Sequence, residues 1–159
     1  MNVYLASPLG FAESTKPFML ELENLLSNIG ITLVNPWRNP LGTEFEKAYM
    51  ITEQHDRMEA LRLLNKQIGI SNEEALRRCD LVIAVLDGID VDSGTASEIG
   101  FAYALQKRIL GLRTDFRMIG DNEASDINLQ LQYWIEASGC IITKSTSELV
   151  KIVKEFLTN

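Results

Sequence analysis

Apolar positions along the chain switch repeatedly between two patterns, and the switching itself predicts the architecture. Short, nearly unbroken apolar runs occur at Asn2–Ala6, Ile31–Val34, Leu81–Leu86, Arg108–Leu112 and Cys140–Thr143. Runs of that length without polar alternation are expected of strands covered on both faces of a sheet. Between them the spacing becomes helical. Phe18, Leu22, Leu25, Leu26 and Ile29 form one stripe over Thr15–Ile29, stopped by Gly30. Ile99, Ala102, Tyr103 and Leu105 form a second stripe after Gly94, and Leu149, Ile152, Val153 and Phe156 a third near the C-terminus. Ser145 with Glu148 has the capping-box spacing that starts this last helix. Ser71 with Glu74 has the same spacing and predicts a separate short helix ending at Arg78, after a helical stretch in one or two pieces over Glu44–Gln67. The segment Asn35–Gly42, with two prolines and a glycine, predicts a loop, and Ile127–Ala137 is an apolar-rich segment before the last strand.

Strand and helix therefore alternate through the whole chain. That order predicts an α/β fold: a doubly wound, flavodoxin-like or Rossmann-like three-layer sandwich with a five-stranded, mostly parallel sheet. At 159 residues, with no linker, repeat or low-complexity run, the chain is expected to be one domain over residues 1–159. Ligands in such folds sit beyond the carboxyl ends of the strands. The stretch that falls there is the acidic loop after Leu86 and the helix start carrying Glu98.

Charge narrows the partners. Fifteen basic residues against 22 acidic give a net charge of −7, with no basic stripe, which argues against a nucleic-acid polymer. No apolar run is long enough to span a membrane, and the first strand begins at once, so a cytoplasmic protein without a signal peptide is expected. Cys79 and Cys140 adjoin predicted buried strands and are expected to be free core thiols. The single histidine, His55, lies in a polar helical stretch and is expected at the surface, which removes Ser-His-Asp chemistry.

Asp87, Asp90, Asp92 and Glu98 place four carboxylates within twelve residues. Read blandly, they are a solvated acidic loop and a glutamate near the positive end of a helix dipole. Read as a site, Gly94 and the small residues Thr95, Ala96 and Ser97 let a ligand approach the backbone, and an ionised Glu98 is suited to attack on an anomeric carbon. The dinucleotide fingerprint and the phosphate loop are both missing. The acidic pair around Val91 is a weak metal signal without a nearby histidine, so no metal and no cofactor is expected.

The block Asp92–Gly100 (DSGTASEIG) resembles the nucleoside 2-deoxyribosyltransferase family. The resemblance extends over nearly the whole chain: the opening Tyr4–Gly10 (YLASPLG), the strand CDLVIAVLDG from Cys79, Arg113–Arg117 (RTDFR), and Asp126–Leu129 (DINL). It implies transfer of a 2-deoxyribosyl group between nucleobases by two displacements with retention. It implies Glu98 as the nucleophile, Asp92 as the carboxylate that contacts the base and manages its proton, and Tyr4 as the residue that orients Glu98. It implies Asn128 as a contact reaching into a neighbouring subunit's site, hence a homo-oligomer with sites at the subunit interface. Ser7, Asp87 and Gly94 are expected to line the substrate site. One position departs: where the family pattern carries a second base-contacting aspartate, this chain has Asn72, which cannot hold a transferable proton. Capping of a helix start is the competing reading of Asn72.

Further expectations follow from the residues. Glu98, near a helix start, is expected to titrate low, and Asp92, crowded by Asp87 and Asp90, higher. Phe11 and Trp37 stand in loops at the ligand end, where each either stacks a base or covers the core edge. Arg113 and Arg117 are expected to pair with local acids such as Asp115, Asp121 and Glu123 rather than with a 5′-phosphate. Tyr133 and Trp134 are read either as subunit contacts or as core. The implied partners are a deoxynucleoside and a free nucleobase. Two alternatives stay open: an N-glycoside hydrolase acting on deoxynucleosides or nucleoside 5′-monophosphates, and a nucleotide-binding module without catalysis. The loop Ser7–Ser14, with Glu13 and no arginine, favours a free 5′-hydroxyl over a phosphate.

Overall fold

The computed structural model describes residues 1–158. Five parallel strands, β1 (Asn2–Ala6), β2 (Thr32–Val34), β3 (Leu81–Val85), β4 (Arg108–Leu112) and β5 (Ile142–Thr143), form one sheet in the order β2-β1-β3-β4-β5. Register is set at the centre: Tyr4 lies between Val34 of β2 and Val82 of β3. The doubly wound α/β architecture expected from the alternation is the one observed.

Helices cover both faces, which is why the strands carry no polar alternation. Val3, Leu5, Leu81, Ile83, Leu110 and Leu112 pack on one side with Leu22 and Leu26 of α1 (Lys16–Ser27) and Leu149 and Val153 of α6 (Thr146–Thr158). Tyr4, Ala6, Val82, Ala84 and Ile109 pack on the other with Leu76, Ile99, Ala102 and Ile135. These four belong to α3 (Gln54–Arg78), α4 (Ser93–Ala104) and α5 (Leu129–Ala137). Cys79 and Cys140 are free and buried. Among the described residues no helix is long and apolar enough to cross a membrane.

The structure corrects the middle of the chain. No new helix starts at Ser71. Gln54–Arg78 is one continuous helix of 25 residues. Glu74 does not reach back to Ser71 but pairs with Arg78, and Glu73 pairs with Arg77, both across one helical turn. With no proline in the segment, nothing interrupts the helix. The loop expected over Asn35–Gly42 contains a 3₁₀ turn at Pro36–Arg38 and leads into α2 (Gly42–Tyr49). At Ser145 the cap does form, with the return bond displaced by one residue to Lys144. Ser145 Oγ accepts from the Glu148 N–H at 3.2 Å, while the Glu148 carboxylate accepts from the Lys144 N–H at 2.9 Å.

The strand order reverses between β1 and β3. In doubly wound sheets a crevice opens at the carboxyl ends of the strands at such a switch point. The loop after β1 and the loop that carries β3 into α4 diverge there.

Candidate active site

A cavity of about 430 Å³ lies at this switch point. Its floor and inner wall come from Ser7 after β1 and from Asp92, Gly94, Thr95 and Glu98 at the start of α4. Phe11, Pro36 and Trp37 form its outer wall, with Asn39, Gly42 and Phe45 beside them. Asn65, Ile68 and Asn72 close it from α3. No Lys, Arg or His is among these lining residues.

Helix α4 starts where it does because Asp92 caps it. Asp92 Oδ2 accepts the Thr95 N–H at 3.0 Å. Glu98 follows one and a half turns later and turns inward to the sheet. There the Tyr4 hydroxyl donates to Glu98 Oε1 at 2.5 Å across 94 residues of sequence. Tyr4 is wholly buried and lies in the middle of β1, not at its end. Burial, and then the charge of Glu98, pushes the Tyr4 phenol well above its ordinary range, so it stays protonated and donates.

The electrostatics of Glu98 reverse the sequence expectation. Burial pushes its carboxyl up to about 7 and the nearby Asp92 charge adds to the rise, while the hydrogen bond from Tyr4 opposes it. Proximity to a helix start does not prevail, because by position 98 the chain has passed the free N–H groups of the first turn and sits against the apolar sheet. The result is two carboxylates lining one cavity, with Glu98 half-ionised near neutrality.

The other sequence candidates are distributed as follows. Ser7 and Gly94 line the cavity. Asn72 also lines it, from mid-helix, so the capping alternative for this residue is excluded. Asp87 does not. Its carboxylate accepts from Thr114 N–H at 2.6 Å, Thr114 Oγ1 at 2.7 Å and Asp115 N–H at 2.8 Å, tying the end of β3 to the loop after β4. Asp87, Asp90 and Asp92 do not converge, and among the described residues no group of three or more His, Cys, Asp or Glu side chains gathers where it could hold a metal. Asn128 is exposed and outside the cavity. It caps α5, its Oδ1 accepting from Gln130 N–H at 3.0 Å and Leu131 N–H at 3.4 Å.

Arg117 pairs with Asp115 and holds that carboxyl well below its usual range. Arg113 makes no salt bridge among the described residues, although its charge helps to lower Asp115. Arg113 is 2% exposed and donates to the backbone carbonyls of Leu86 at 2.5 Å, Gly88 at 3.4 Å and Arg117 at 2.6 Å. The buried guanidinium thus fastens the root of the acidic loop. Arg113→Leu, which strands these carbonyls, is expected to cost roughly 2–4 kcal/mol in a chemical-denaturation titration.

Sequence reasoning missed Asn39, Phe45, Asn65 and Ile68. For two of them a signal existed: Asn65, Ile68 and Asn72 recur at spacings of three and four, one face of a helix. It became readable only once α3 was continuous.

Comparison with known proteins bears on the fold and the family. The model of the family Nucleoside 2-deoxyribosyltransferase matches residues 3–143. No curated protein sequence matches the chain significantly. Among solved structures, a conserved protein of Enterococcus faecalis V583 superposes with TM-score 0.71 at 24% identity, covering 98% of both chains. The CMP N-glycosidase of Clostridium botulinum superposes with TM-score 0.60 at 22% identity, covering 98% of this chain and 99% of its own. The 2-deoxyribosyltransferase of Bacillus psychrosaccharolyticus does so with TM-score 0.60 at 20% identity, covering 94% and 90%. Relatives of this fold thus include enzymes that act at N-glycosidic bonds, and the match over residues 3–143 establishes that the chain belongs to the nucleoside 2-deoxyribosyltransferase family.

Proposed function

We propose that this protein moves a 2-deoxyribosyl group from one nucleobase to another through a covalent intermediate on Glu98. The observation that carries the reading is the Tyr4–Glu98 hydrogen bond of 2.5 Å at the wall of a cavity shared with Asp92. A carboxylate fixed by one donor, with its second oxygen left for substrate, is suited to attack on C1′. In the first step Glu98 bonds to C1′ as the C1′–N bond breaks, and the departing base nitrogen takes up a proton at Asp92. In the second, the nitrogen of another base bonds to C1′, the bond to Glu98 breaks, and the proton returns. Configuration is retained because C1′ is inverted twice.

Asp92 has a double duty in this scheme. Its Oδ2 is engaged in the α4 cap, and Oδ1 takes no part in it. Asp92→Asn keeps an acceptor for the cap and removes the acid–base group. Asp92→Ala loses both. The expected result is a large fall in turnover for both variants, with only the alanine variant losing roughly 1 kcal/mol of stability.

The cavity lining, without a cation, supports a substrate with a free 5′-hydroxyl rather than a 5′-phosphate. Hydrolysis is the second reading, since water attacking the same glycosyl ester gives free sugar and one structural relative is an N-glycosidase. Asn128, exposed at the head of α5, is read as the contact to a neighbouring subunit's sugar, which makes a homodimer the smallest working unit. The deciding assay supplies a deoxynucleoside and a different free base. New deoxynucleoside supports transfer, free deoxyribose alone supports hydrolysis, and no product from nucleosides or monophosphates leaves a binding protein.

A further inference from the structure

The outer wall of the cavity is made of two loops locked to each other through one indole. Gly10 lies directly under Trp37: a Cβ at position 10 would sit 2.0 Å from Trp37 Cδ2. Gly10 is not one of the positive-φ glycines, so the indole, not the backbone, excludes a side chain there. Trp37 Nε1 donates to the Ser7 carbonyl at 2.7 Å. Phe11 stands edge-on to the indole, with ring centroids 4.5 Å apart and planes at 81°. On the opposite flank Asn35 Oδ1 accepts the Trp37 N–H at 3.0 Å. Asn35 and Arg38 are both held by Glu23 of α1, at 2.6 Å and 2.8 Å. The ring is therefore fixed in place, yet Trp37 is 38% exposed and Phe11 73% exposed, and both line the cavity. An anchored, partly exposed aromatic pair in a cavity wall is a surface for a flat heterocycle, with little ordering left to be done on binding.

We infer that Trp37, latched by Gly10 and Ser7, holds the acceptor nucleobase and thereby sets the ratio of transfer to hydrolysis. The inference rests on the double-displacement reading above. Once the glycosyl group is esterified to Glu98, a base nitrogen and a water oxygen compete for the same C1′. Either attack forms one new bond to C1′, breaks the bond to Glu98 and releases the acceptor's proton toward Asp92. What distinguishes the outcomes is which acceptor occupies the space above the sugar. A stacked base both fills that space and excludes water. Trp37 is a specificity-determining residue in this account and Gly10 a positioning residue.

The test measures new deoxynucleoside against free deoxyribose, with each of the four common deoxynucleosides offered a different free base. Loss of one base–aromatic stack is expected to lower the ratio about tenfold or more in Trp37→Leu, the ratio being the readout because donor cleavage, whose base leaves from the same space, falls as well. Trp37→Phe, which keeps a ring, retains most of the ratio. Gly10→Ala, with Trp37 present but displaced, reproduces the loss. An unchanged ratio in both Trp37→Leu and Gly10→Ala overturns the inference. A second readout does not need turnover. The chain has two tryptophans, so Trp134→Phe leaves Trp37 as the sole indole reporter. Free adenine or cytosine added to this variant combined with Glu98→Gln should quench its fluorescence, and no quench by any common base overturns the platform. A wild-type enzyme that neither transfers nor hydrolyses overturns the double-displacement reading and the partition with it. A Trp37 quench in that same protein would show that the base platform itself had survived.

Discussion

Glu98→Gln removes turnover by about a thousandfold or more and at the same time makes the protein more stable above neutral pH. The two effects have one cause. Glutamine cannot bond to C1′ as a carboxylate does, so the first displacement fails. It also carries no charge to bury. In the native protein the Glu98 carboxyl is raised from its ordinary range to about 7, chiefly by burial. Because the folded value lies above the unfolded one, the fold favours the protonated form. The associated stability is fully present below about pH 4.5 and is lost as pH rises through about 7. A rise of this size corresponds to roughly 3 kcal/mol of native-state cost at pH 8. The variant avoids that cost, so its Tm advantage over the wild type should be small at pH 4.5 and largest at pH 8. Thermal melts at the two pH values check this. Equal Tm differences at both would show that Glu98 is not the buried, raised carboxyl described here, and undiminished activity would remove it from the chemistry.

Tyr4→Phe shifts the pH dependence rather than abolishing the reaction. In the free wild-type enzyme kcat/KM should rise with pH through about 7, as Glu98 ionises. The Tyr4 hydroxyl opposes the rise in the Glu98 value by donating to the carboxylate. Without it the ionised form loses its protein donor, and the acid limb should move upward by about 1–2 pH units, the range expected for a hydrogen bond to a charged group. Activity at pH 7 then falls by about tenfold or more, and part of it returns at pH 9. A limb that stays in place, with activity lost uniformly, would mean that Tyr4 shapes the cavity without tuning the nucleophile. Glu98 and Asp92 share the cavity, so the limb belongs to the pair, and the shift is the quantity to compare.

The same residues show how far the chain can be read without its tertiary structure. Leu81–Leu86 and the stripe Ile99, Ala102 announced a doubly buried strand followed by a helix packed on it, because burial on two faces and on one face leave different periodicities. The site's location beyond β3 followed from that order, and Asp92 and Glu98 followed from their place in a family-like block. Local sequence also offered a plausible but mistaken signal at Ser71 and Glu74. A capping box competes with i,i+4 ion pairs, and with Arg77 and Arg78 available the uninterrupted helix wins. Arg113 was misread for a related reason. An arginine near acids suggests a salt bridge, and only the fold shows that the buried position offers it carbonyls instead.

By itself, then, the order of apolar runs determined the layers of this protein and the end of the sheet that holds the cavity, while the family-like block pointed to the carboxylate pair that lines it. The tertiary structure alone decided that Tyr4 meets Glu98, that Gly10 lies beneath Trp37, and that Asn65 and Asn72 face the same space. It also decided that Glu98 titrates near neutrality rather than low. Periodicity records which side of an element is buried, whereas hydrogen-bond partners and desolvation depend on what lies across the gap, tens of residues away along the chain.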